Sequence, residues 1–273
     1  KVQINGNISS QYISALLLIA ASLPNGLRVE LIGEITSIPY INMTLSLLEQ
    51  VGVAAAFEGQ LIEVQPFKGI KKQSLEVESD WSSASYFYSI VALSTVGSAI
   101  RLSSYKKESL QGDAVLANIY KHFGVETTYE ANSVVLRKTI EFNKELLKID
   151  LNKAPDIAQT IAVTCFGLGV SCELLGLHTL KIKETDRLEA LQIELTKLGA
   201  NIFVTNTSLH LKTSSIMNAN VSIETYNDHR MAMAFAPLAM RVPLEILDAG
   251  VVTKSYRNFW KDLQQIGFQI NKV

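Results

Sequence analysis

The stretch that decides the fold spans residues 155–166 and reads PDIAQTIAVTCF. It opens with Pro155 and Asp156, two residue types that suit the first turn of a helix. The run that follows is nearly apolar all round, and a helix without a wide polar face is expected to be buried. The stretch therefore predicts a core helix with a polar start.

The same pattern returns at a fixed distance along the chain. Helix-like runs begin at Ser9, Ser82, Pro155 and Asp228, and each start lies 73 residues after the previous one. A fixed long period indicates one supersecondary unit that is used repeatedly. The predicted core helices of the four units are Tyr12–Ala21, Tyr86–Leu93, Ile157–Phe166 and Met231–Ala239. The strands predicted after them are Arg28–Ile32, Ala99–Leu102, Cys172–Leu175 and Leu244–Leu247.

A second, amphipathic helix follows in each unit and ends at a glycine. In the third unit Leu188, Leu191 and Leu195 recur at helical spacing, and in the second unit Val115, Ile119 and Phe123 do the same. The closing glycines predict left-handed C-terminal caps. They are Gly52, Gly124, Gly199 and Gly267. Thr185 is the predicted N-cap of the third of these helices. Two further strands are predicted to close each of the first three units.

Residues 65–79 form the best candidate for a crossing between domains, because they contain Pro66, Gly69 and the basic pair Lys71-Lys72. We place the boundary at Glu78. One unit then lies in residues 1–78 and three lie in residues 79–273, the last of them lacking a strand. Because the chain has no initiating Met, we expect it to be a fragment or a processed piece.

Composition narrows the class of function. With 48% hydrophobic residues the chain can bury sizeable cores, and a net charge of −1 argues against binding to nucleic acid through bulk charge. The longest apolar run, 13–23, is too short to span a bilayer, and no signal peptide is visible. Cys165 and Cys172 lie in apolar surroundings, so we expect a buried, reduced pair and no metal. The prediction is a cytoplasmic protein without membrane or nucleic-acid partners.

The unusual polar residues collect at the starts of helices. Capping accounts for serine and aspartate there, but it does not account for Gln11, His229 and Arg230, which would be costly against an apolar helix unless they face a polar cavity. Helix N-termini also offer free N–H groups to phosphate or carboxylate. A charged segment, 181–187, begins the second helix of the third unit. Together these features predict a cleft that binds anions.

Four of these stretches carry a resemblance to a known family. These stretches resemble the signatures of 5-enolpyruvylshikimate-3-phosphate synthase, in the order in which they occur along the chain. They are Lys183-Glu184-Thr185-Asp186-Arg187, the run 226–233 (YNDHRMAM), Ser9-Ser10-Gln11 and Pro155-Asp156. The first two stretches are highly specific. The resemblance covers the whole chain, but only about the last three-fifths of the family's usual length.

The resemblance implies an α/β (α+β) fold of two domains, each built from βαβαββ units as in the enolpyruvyl transferases, with the first domain incomplete here. It implies transfer of the enolpyruvyl group of phosphoenolpyruvate to the 5-hydroxyl of shikimate 3-phosphate, with release of phosphate. No metal or organic cofactor is expected, and the full-length protein is expected to be a monomer. The active site is expected in the cleft between the domains.

Site residues follow from the resemblance, position by position. The phosphate cradle of shikimate 3-phosphate corresponds to Ser9, Ser10 and Gln11, with Ser37 and Tyr40 close by. Lys183 and Asp156 would contact the shikimate hydroxyls, and Thr179 stands where some members of the family carry Asn. Arg187, Arg230 and Lys254 would neutralise phosphoenolpyruvate, acting mainly through charge that is in place before reaction.

Two carboxylates are the candidates for proton transfer. One group must accept the hydroxyl proton and one must protonate the methylene carbon of phosphoenolpyruvate. We assign Asp156 to the hydroxyl and Glu184 to the methylene, although coupled groups can exchange roles. His229 is assigned as a supporting hydrogen-bond partner. Since the family's N-terminal motifs have no counterpart here, we expect this piece alone to be inactive.

Two other readings remain open. The sister enzyme, UDP-N-acetylglucosamine enolpyruvyl transferase, shares the repeat but normally relies on a reactive cysteine in a mobile loop. A non-catalytic binding module built from βαβαββ repeats belongs to a different class, because a fold alone does not fix function.

Overall fold

The computed structural model describes residues 1–36, 38–67, 69 and 74–272. Ser37, Lys71 and Lys72, which the sequence analysis singled out, lie outside the described residues. The chain divides into two compact units. Unit 1 contains Lys1–Glu78 with the short segments 107–114 and 152–154, and unit 2 contains the remainder. The predicted domain boundary at Glu78 stays a prediction about the whole protein.

Unit 1 holds one complete βαβαββ repeat. Its elements are β1 (Val2–Asn5), α1 (Ser10–Ala20), β2 (Leu27–Ile32), α2 (Ile38–Gln50), β3 (Ala55–Glu58) and β4 (Leu61–Val64). The sheet order is β1-β2-β4-β3, in which β1 and β2 run parallel and the other pairs antiparallel.

Unit 2 holds the elements of three more repeats. Those of the second are α3 (Trp81–Leu93), β5 (Ala99–Ser103), α4 (Leu116–Ile119), β6 (Val125–Glu130) and β7 (Ser133–Lys138). Those of the third are β8 (Leu147–Asp150), α5 (Ala158–Leu168), β9 (Cys172–Leu175), α6 (Arg187–Lys197), β10 (Asn201–Val204) and β11 (Leu209–Lys212). Those of the fourth are β12 (Val221–Ile223), α7 (His229–Phe235), β13 (Leu244–Ile246) and α8 (Phe259–Gln265).

The sheets confirm that one unit is used four times. The third repeat has the order β8-β9-β11-β10, the same as the first, with the same parallel and antiparallel pairs. The sheet of the second repeat, β5-β7-β6, corresponds to β2-β4-β3 and lacks the strand equivalent to β1. The sheet of the fourth repeat, β12-β13, corresponds to the parallel pair β1-β2. The 73-residue period in the sequence therefore corresponds to a repeated topology.

The core helices of unit 2 are buried as predicted, and hydroxyls that pair with one another account for several of their polar residues. α3 packs against α5, and α5 packs against α7. Ser85 Oγ lies 2.9 Å from Thr160 Oγ1, and Ser89 Oγ lies 2.8 Å from Thr164 Oγ1, which also meets the Tyr120 hydroxyl at 2.9 Å. Small side chains let the helices approach closely, and each of these hydroxyls has a partner.

The first core helix departs from the prediction. Only one face of α1 is buried, while Tyr12, Leu18 and Ile19 are 65%, 60% and 55% exposed. The buried face, represented by Ile13 and Leu17, belongs to a hydrophobic cluster of unit 1. One repeat offers α1 one sheet and one neighbouring helix, so its remaining apolar surface has nothing to pack against among the described residues. An apolar run was thus a poor guide to burial here.

The predicted second helix of the second unit is also wrong in detail. Residues 112–123 form two 3₁₀ turns, Gly112–Val115 and Tyr120–Phe123, on either side of the single turn of α4. Val115, assigned to the apolar stripe, is 39% exposed, whereas Phe123 is fully buried. The tighter 3₁₀ winding rotates the side chains relative to an α-helix, so a stripe counted at α-helical spacing misplaces Val115.

The closing glycines are confirmed, since Gly52, Gly124, Gly199 and Gly267 all have positive φ. Gly124 and Gly169, which ends α5, have φ of +74° and +68°. A Cβ at Gly124 would lie 2.1 Å from the carbonyl oxygen of Ile140, but a Cβ at Gly169 would meet nothing within 4 Å.

These two caps give a matched test of the repeat's geometry. We expect Gly169→Ala to lower the free energy of unfolding by about 1–2 kcal/mol, the cost of left-handed backbone for an L-residue. Gly124→Ala should cost clearly more, because it adds a backbone collision. Denaturant unfolding of the two variants measures both, and equal losses would contradict the geometry of the Gly124 turn.

Candidate active site

Asp156 is held by three cations. It lies in a 3₁₀ turn, Pro155–Ile157, that leads into α5. Its Oδ1 is 3.4 Å from Lys183 Nζ and 3.0 Å from Arg187 Nη1, and its Oδ2 is 3.3 Å from Arg230 Nη2. The structure thus brings together four residues that the sequence analysis assigned to the site.

Charge around Asp156 controls its protonation. Burial alone would raise the pKa of Asp156, but Arg230, Lys183 and Arg187 outweigh it and hold the pKa well below its ordinary value. Asp156 is therefore an anion throughout the neutral range. Opposite charges within a few ångströms favour the ionised form in this way.

Arg187, the first residue of α6, lies among three carboxylates. Its Nε is 2.6 Å from Asp228 Oδ2, its Nη2 is 2.6 Å from Glu184 Oε2, and its Nη1 reaches Asp156. The Arg187 side chain is 2% exposed and Asp228 is fully buried, whereas the Glu184 side chain is 40% exposed. Of these partners, Glu184 is the one that solvent or a ligand reaches most easily.

The start of α7 supplies the next group of contacts. Asp228 is its N-cap and accepts a hydrogen bond from the Arg230 N–H at 2.8 Å. Just before it, Asn227 accepts two hydrogen bonds from Lys254 Nζ, at its backbone oxygen (2.7 Å) and at its Oδ1 (2.9 Å). The turn that opens α7 therefore positions two of the predicted cations, Arg230 and Lys254.

His229 is a partly buried group beside this cluster. Its Nδ1 is buried and has no hydrogen-bond partner among the described residues, and it lies 4.0 Å from Asp228 Oδ1. Burial and then the charge of Arg230 lower the pKa of His229 below its ordinary value. A neutral imidazole keeps one N–H for donation and one nitrogen for acceptance.

The buried hydroxyl of Thr179 is a candidate to bind a polar ligand or water. It lies in the 3₁₀ turn His178–Ile182 that precedes Lys183, and it is 5% exposed. Its hydroxyl has no partner among the described residues. Buried hydroxyls normally have one, so this atom is available for a contact within unit 2.

Unit 1 carries the other predicted residues at two adjacent helix starts. Ser9 is the N-cap of α1, where its Oγ accepts a hydrogen bond from the Gln11 N–H at 3.4 Å, and Ser10 begins the helix. Tyr40 lies in the first turn of α2, and its carbonyl accepts a hydrogen bond from Thr44. Thr44 and Ser14, each one turn further along, meet at 2.8 Å. The N–H groups of both helix starts therefore lie on the same side of unit 1.

The predicted cap of α6 was wrong by one residue. Asp186, not Thr185, is the N-cap, and its Oδ1 accepts hydrogen bonds from Leu188 N and Glu189 N at 3.2 Å and 3.1 Å. A carboxylate matches the positive end of a helix better than a hydroxyl does. As a result Arg187 is the first helical residue.

The sequence analysis missed two residues that hold the predicted cations, Asp228 and Asn227. Both stand inside the quoted 226–233 run, but Asp228 was treated only as a helix start. A carboxylate directly before a His-Arg pair was the available signal. The signal for Asn227 was absent, because its contact with Lys254 joins residues 27 positions apart.

No cluster that could hold a metal ion, of three or more His, Cys, Asp or Glu side chains, occurs within the described ranges. Likewise, no helix in the part of the chain that the structure describes is long and apolar enough to cross a membrane.

Solved structures place the fold among the enolpyruvyl transferases. An EPSP synthase of Acinetobacter baumannii superposes with a TM-score of 0.79 at 20% identity, covering 99% of this chain and 63% of that one. The enolpyruvyl transferase NikO of Streptomyces tendae gives a TM-score of 0.66 at 14% identity, covering 93% of this chain and 58% of that one. At these identities the likeness defines the fold alone.

Sequence relatives define the family. The family model of EPSP synthase (3-phosphoshikimate 1-carboxyvinyltransferase) matches residues 1–263, and the chain belongs to this family. A 3-phosphoshikimate 1-carboxyvinyltransferase of Bacteroides fragilis is 44% identical over 99% of this chain, and one of Methanopyrus kandleri is 35% identical over 100%. The chain spans 66% and 62% of the lengths of these two relatives.

The pKa of His229 provides a test of the site's electrostatics. We expect the imidazole to titrate below the ordinary histidine value of about 6.5, because burial and Arg230 disfavour its charged form. Arg230→Gln removes one of these causes, so the pKa of His229 should rise in that variant. NMR titration of the imidazole nitrogens measures both values. An ordinary pKa, or no change in the variant, would contradict the described environment.

Proposed function

We propose that the protein containing this chain transfers the enolpyruvyl group of phosphoenolpyruvate to the 5-hydroxyl of shikimate 3-phosphate and releases phosphate. The observation that carries the proposal is Asp156, an anion held by Lys183, Arg187 and Arg230 beside the exposed carboxylate of Glu184. Family membership supports this reaction class for such a cluster. The chain spans about two thirds of its relatives, so the proposal concerns the longer protein.

Shikimate 3-phosphate has a phosphate and several hydroxyls to be recognised. The two adjacent helix starts of unit 1 suit the phosphate, since free N–H groups and the positive helix end favour anions. In unit 2, Asp156 and Lys183 offer an acceptor and a donor to the hydroxyls, and the Thr179 hydroxyl is a further candidate. The residues proposed to bind this substrate are Ser9, Ser10, Gln11, Ser37, Tyr40, Asp156, Thr179 and Lys183.

Phosphoenolpyruvate brings a carboxylate and a phosphate, for which we propose Arg187, Arg230 and Lys254. Each of these cations already has a partner: Arg187 contacts carboxylates, Arg230 contacts Asp156, and Lys254 contacts Asn227. The substrate must therefore compete for their donors. Exchange is easiest at Glu184, the most exposed of the carboxylates, and this exchange would free Glu184 close to the bound anion.

The competition also has a consequence for proton transfer. Three cations hold the pKa of Asp156 low, which makes it a weak base in the free protein. When phosphoenolpyruvate engages the same cations, their hold on Asp156 weakens and its basicity rises. Asp156 then accepts the proton of the 5-hydroxyl as its oxygen bonds to C2 of phosphoenolpyruvate, and Glu184, displaced from Arg187 and protonated, delivers its proton to C3. The resulting Glu184 carboxylate takes a proton back from C3 as the bond between C2 and the phosphate oxygen breaks, which re-forms the C2=C3 double bond and gives the enol ether and free phosphate. His229, neutral and partly buried, is proposed as a supporting hydrogen-bond partner in the site.

The cysteines favour this reaction over the transferase that acts on UDP-N-acetylglucosamine. Cys165 and Cys172 are both buried and free, and burial raises the pKa of the Cys165 thiol well above its ordinary value. A thiol acts as a nucleophile only as the thiolate. Neither cysteine therefore fits the role of an exposed reactive cysteine. We further propose a monomeric, cytoplasmic enzyme that needs no metal or organic cofactor.

Phosphate release with defined substrates tests the proposal. The assay uses the chain alone, and the chain joined to the part of the Bacteroides fragilis relative that lies outside the match. We expect turnover of shikimate 3-phosphate with phosphoenolpyruvate in the joined protein and none in the chain alone. Asp156→Asn and Glu184→Gln should each lower kcat by about 10²-fold or more, the usual contribution of a general acid or base.

Glu173→Gln serves as the control, because Glu173 forms a surface ion pair with Lys148 across strands β9 and β8 and is not among the proposed site residues. Its kcat should be unchanged. Turnover of UDP-N-acetylglucosamine in place of shikimate 3-phosphate would overturn the proposal, as would full activity of both carboxylate variants.

A further inference from the structure

α6 carries a second buried charge that the proposed chemistry does not use. Glu194 lies seven residues after Arg187 and is 0% exposed. Seven residues are about two helical turns, so both side chains leave the same face of α6, about 10 Å apart along its axis. A buried carboxylate is costly unless it is paired and hydrogen-bonded, and its partners show what it holds.

Both carboxylate oxygens of Glu194 reach the segment that precedes α7. Oε1 accepts a hydrogen bond from the Tyr226 hydroxyl at 2.6 Å, and Oε2 accepts one from the Glu224 N–H at 3.2 Å. Lys197 Nζ pairs with both oxygens, at 2.9 Å and 2.8 Å, from the more exposed side. Burial, and then the neighbouring Glu194, raise the pKa of Tyr226 well above its ordinary value, so its hydroxyl stays a donor.

The backbone held in this way is strained. Tyr226 and Asn227 have φ of +51° and +56°, a left-handed conformation for two consecutive residues that are not glycine. Such residues cost about 1–2 kcal/mol each and persist where surrounding contacts over-determine them. The turn is closed by a hydrogen bond from Asp228 N–H to Thr225 O at 2.8 Å.

The strained turn sets the direction of the site's cations. Its second residue, Asn227, holds Lys254 through two hydrogen bonds. The next residue, Asp228, holds Arg187 and caps the helix that carries Arg230. α6 therefore contacts the segment 226–228 at two points, through the ion pair of Arg187 with Asp228 and through the hydrogen bond of Glu194 with Tyr226.

We propose that Glu194 and Tyr226 are positioning residues, which act through the 226–227 turn to place Lys254 and Arg230 for the anionic groups of phosphoenolpyruvate. This role rests on the proposed function. Neither side chain touches the substrate. Loss of their hydrogen bond relaxes the turn, displaces the Asn227 oxygens and weakens the binding of phosphoenolpyruvate more than that of shikimate 3-phosphate.

Tyr226→Phe removes this one hydrogen bond and keeps the ring. The first readout is amide hydrogen exchange, which needs no activity. We expect the Asp228 amide to exchange at least about tenfold faster in the variant, because the turn opens locally. The Val170 amide, bonded to Cys165 O at 2.9 Å in another part of unit 2, should keep its rate. Tyr88→Phe is the matched control, since it is the same substitution and removes a tyrosine hydrogen bond of 2.7 Å, to Thr127 Oγ1, in another part of unit 2.

The second readout is steady-state kinetics in the joined protein. For Tyr226→Phe we expect the KM for phosphoenolpyruvate to rise about fivefold or more, with the KM for shikimate 3-phosphate within about twofold of its original value, as loss of one ligand's contacts requires. Tyr88→Phe should change neither constant.

The outcomes separate the positioning role from the reaction itself. An unchanged Asp228 exchange rate, an unchanged KM for phosphoenolpyruvate, or equal acceleration at Val170 in active protein overturns the positioning role and leaves the proposed function standing. If the joined protein turns over neither substrate, the proposed function fails, and the positioning role fails with it.

Discussion

The ion pair between Arg187 and Asp228 is the interaction on which the site depends. It joins the first residue of α6 to the N-cap of α7 at 2.6 Å, with both side chains buried. A buried charge left without its partner is strongly destabilising, so neither helix start can move alone. Because the same arginine reaches Asp156 and Glu184, the starts of α5, α6 and α7 are held in one network of charges.

This network is balanced in the free protein and is suited to an anionic ligand. Lys183, Arg187 and Arg230 face Asp156, Glu184 and Asp228, so the cations are satisfied by carboxylates of unequal burial. Asp228 is fixed by burial, and Glu184 is the partner most open to exchange. Such an arrangement keeps the cations oriented before a ligand arrives, which is the condition for electrostatic stabilisation without later reorganisation. The strain at Tyr226 and Asn227 is a local cost of this orientation.

The repeat could be predicted well from the sequence because equal spacing along the chain indicates a repeated unit. Helix starts 73 residues apart correspond to sheets of one topology, and the glycines at the ends of helices correspond to caps with positive φ. It failed where burial depends on neighbours. The apolar run of α1 predicted a core helix, yet Tyr12 and Leu18 are exposed because unit 1 supplies partners for one face only.

The sequence predicted which residues form the site better than it predicted how their partners orient them. Local motifs located Asp156, Lys183, Arg187 and Arg230, which the structure brings together. The partners that orient them come from other parts of the chain, and no local pattern reports them. Glu194 stands between the leucines of an amphipathic helix, where a polar residue is expected to be exposed. The fold shows that it is buried and hydrogen-bonded to Tyr226.

The central claim is that the buried pair, more than the exposed one, fixes Arg187. Double-mutant cycles with Arg187→Gln measure this, since they isolate the energy of each pair. The account predicts a coupling energy above about 2 kcal/mol for Arg187 with Asp228→Asn. For Arg187 with Glu184→Gln, an exposed pair, it predicts less than about 1 kcal/mol. Equal couplings, or a value near zero for Asp228, would contradict it.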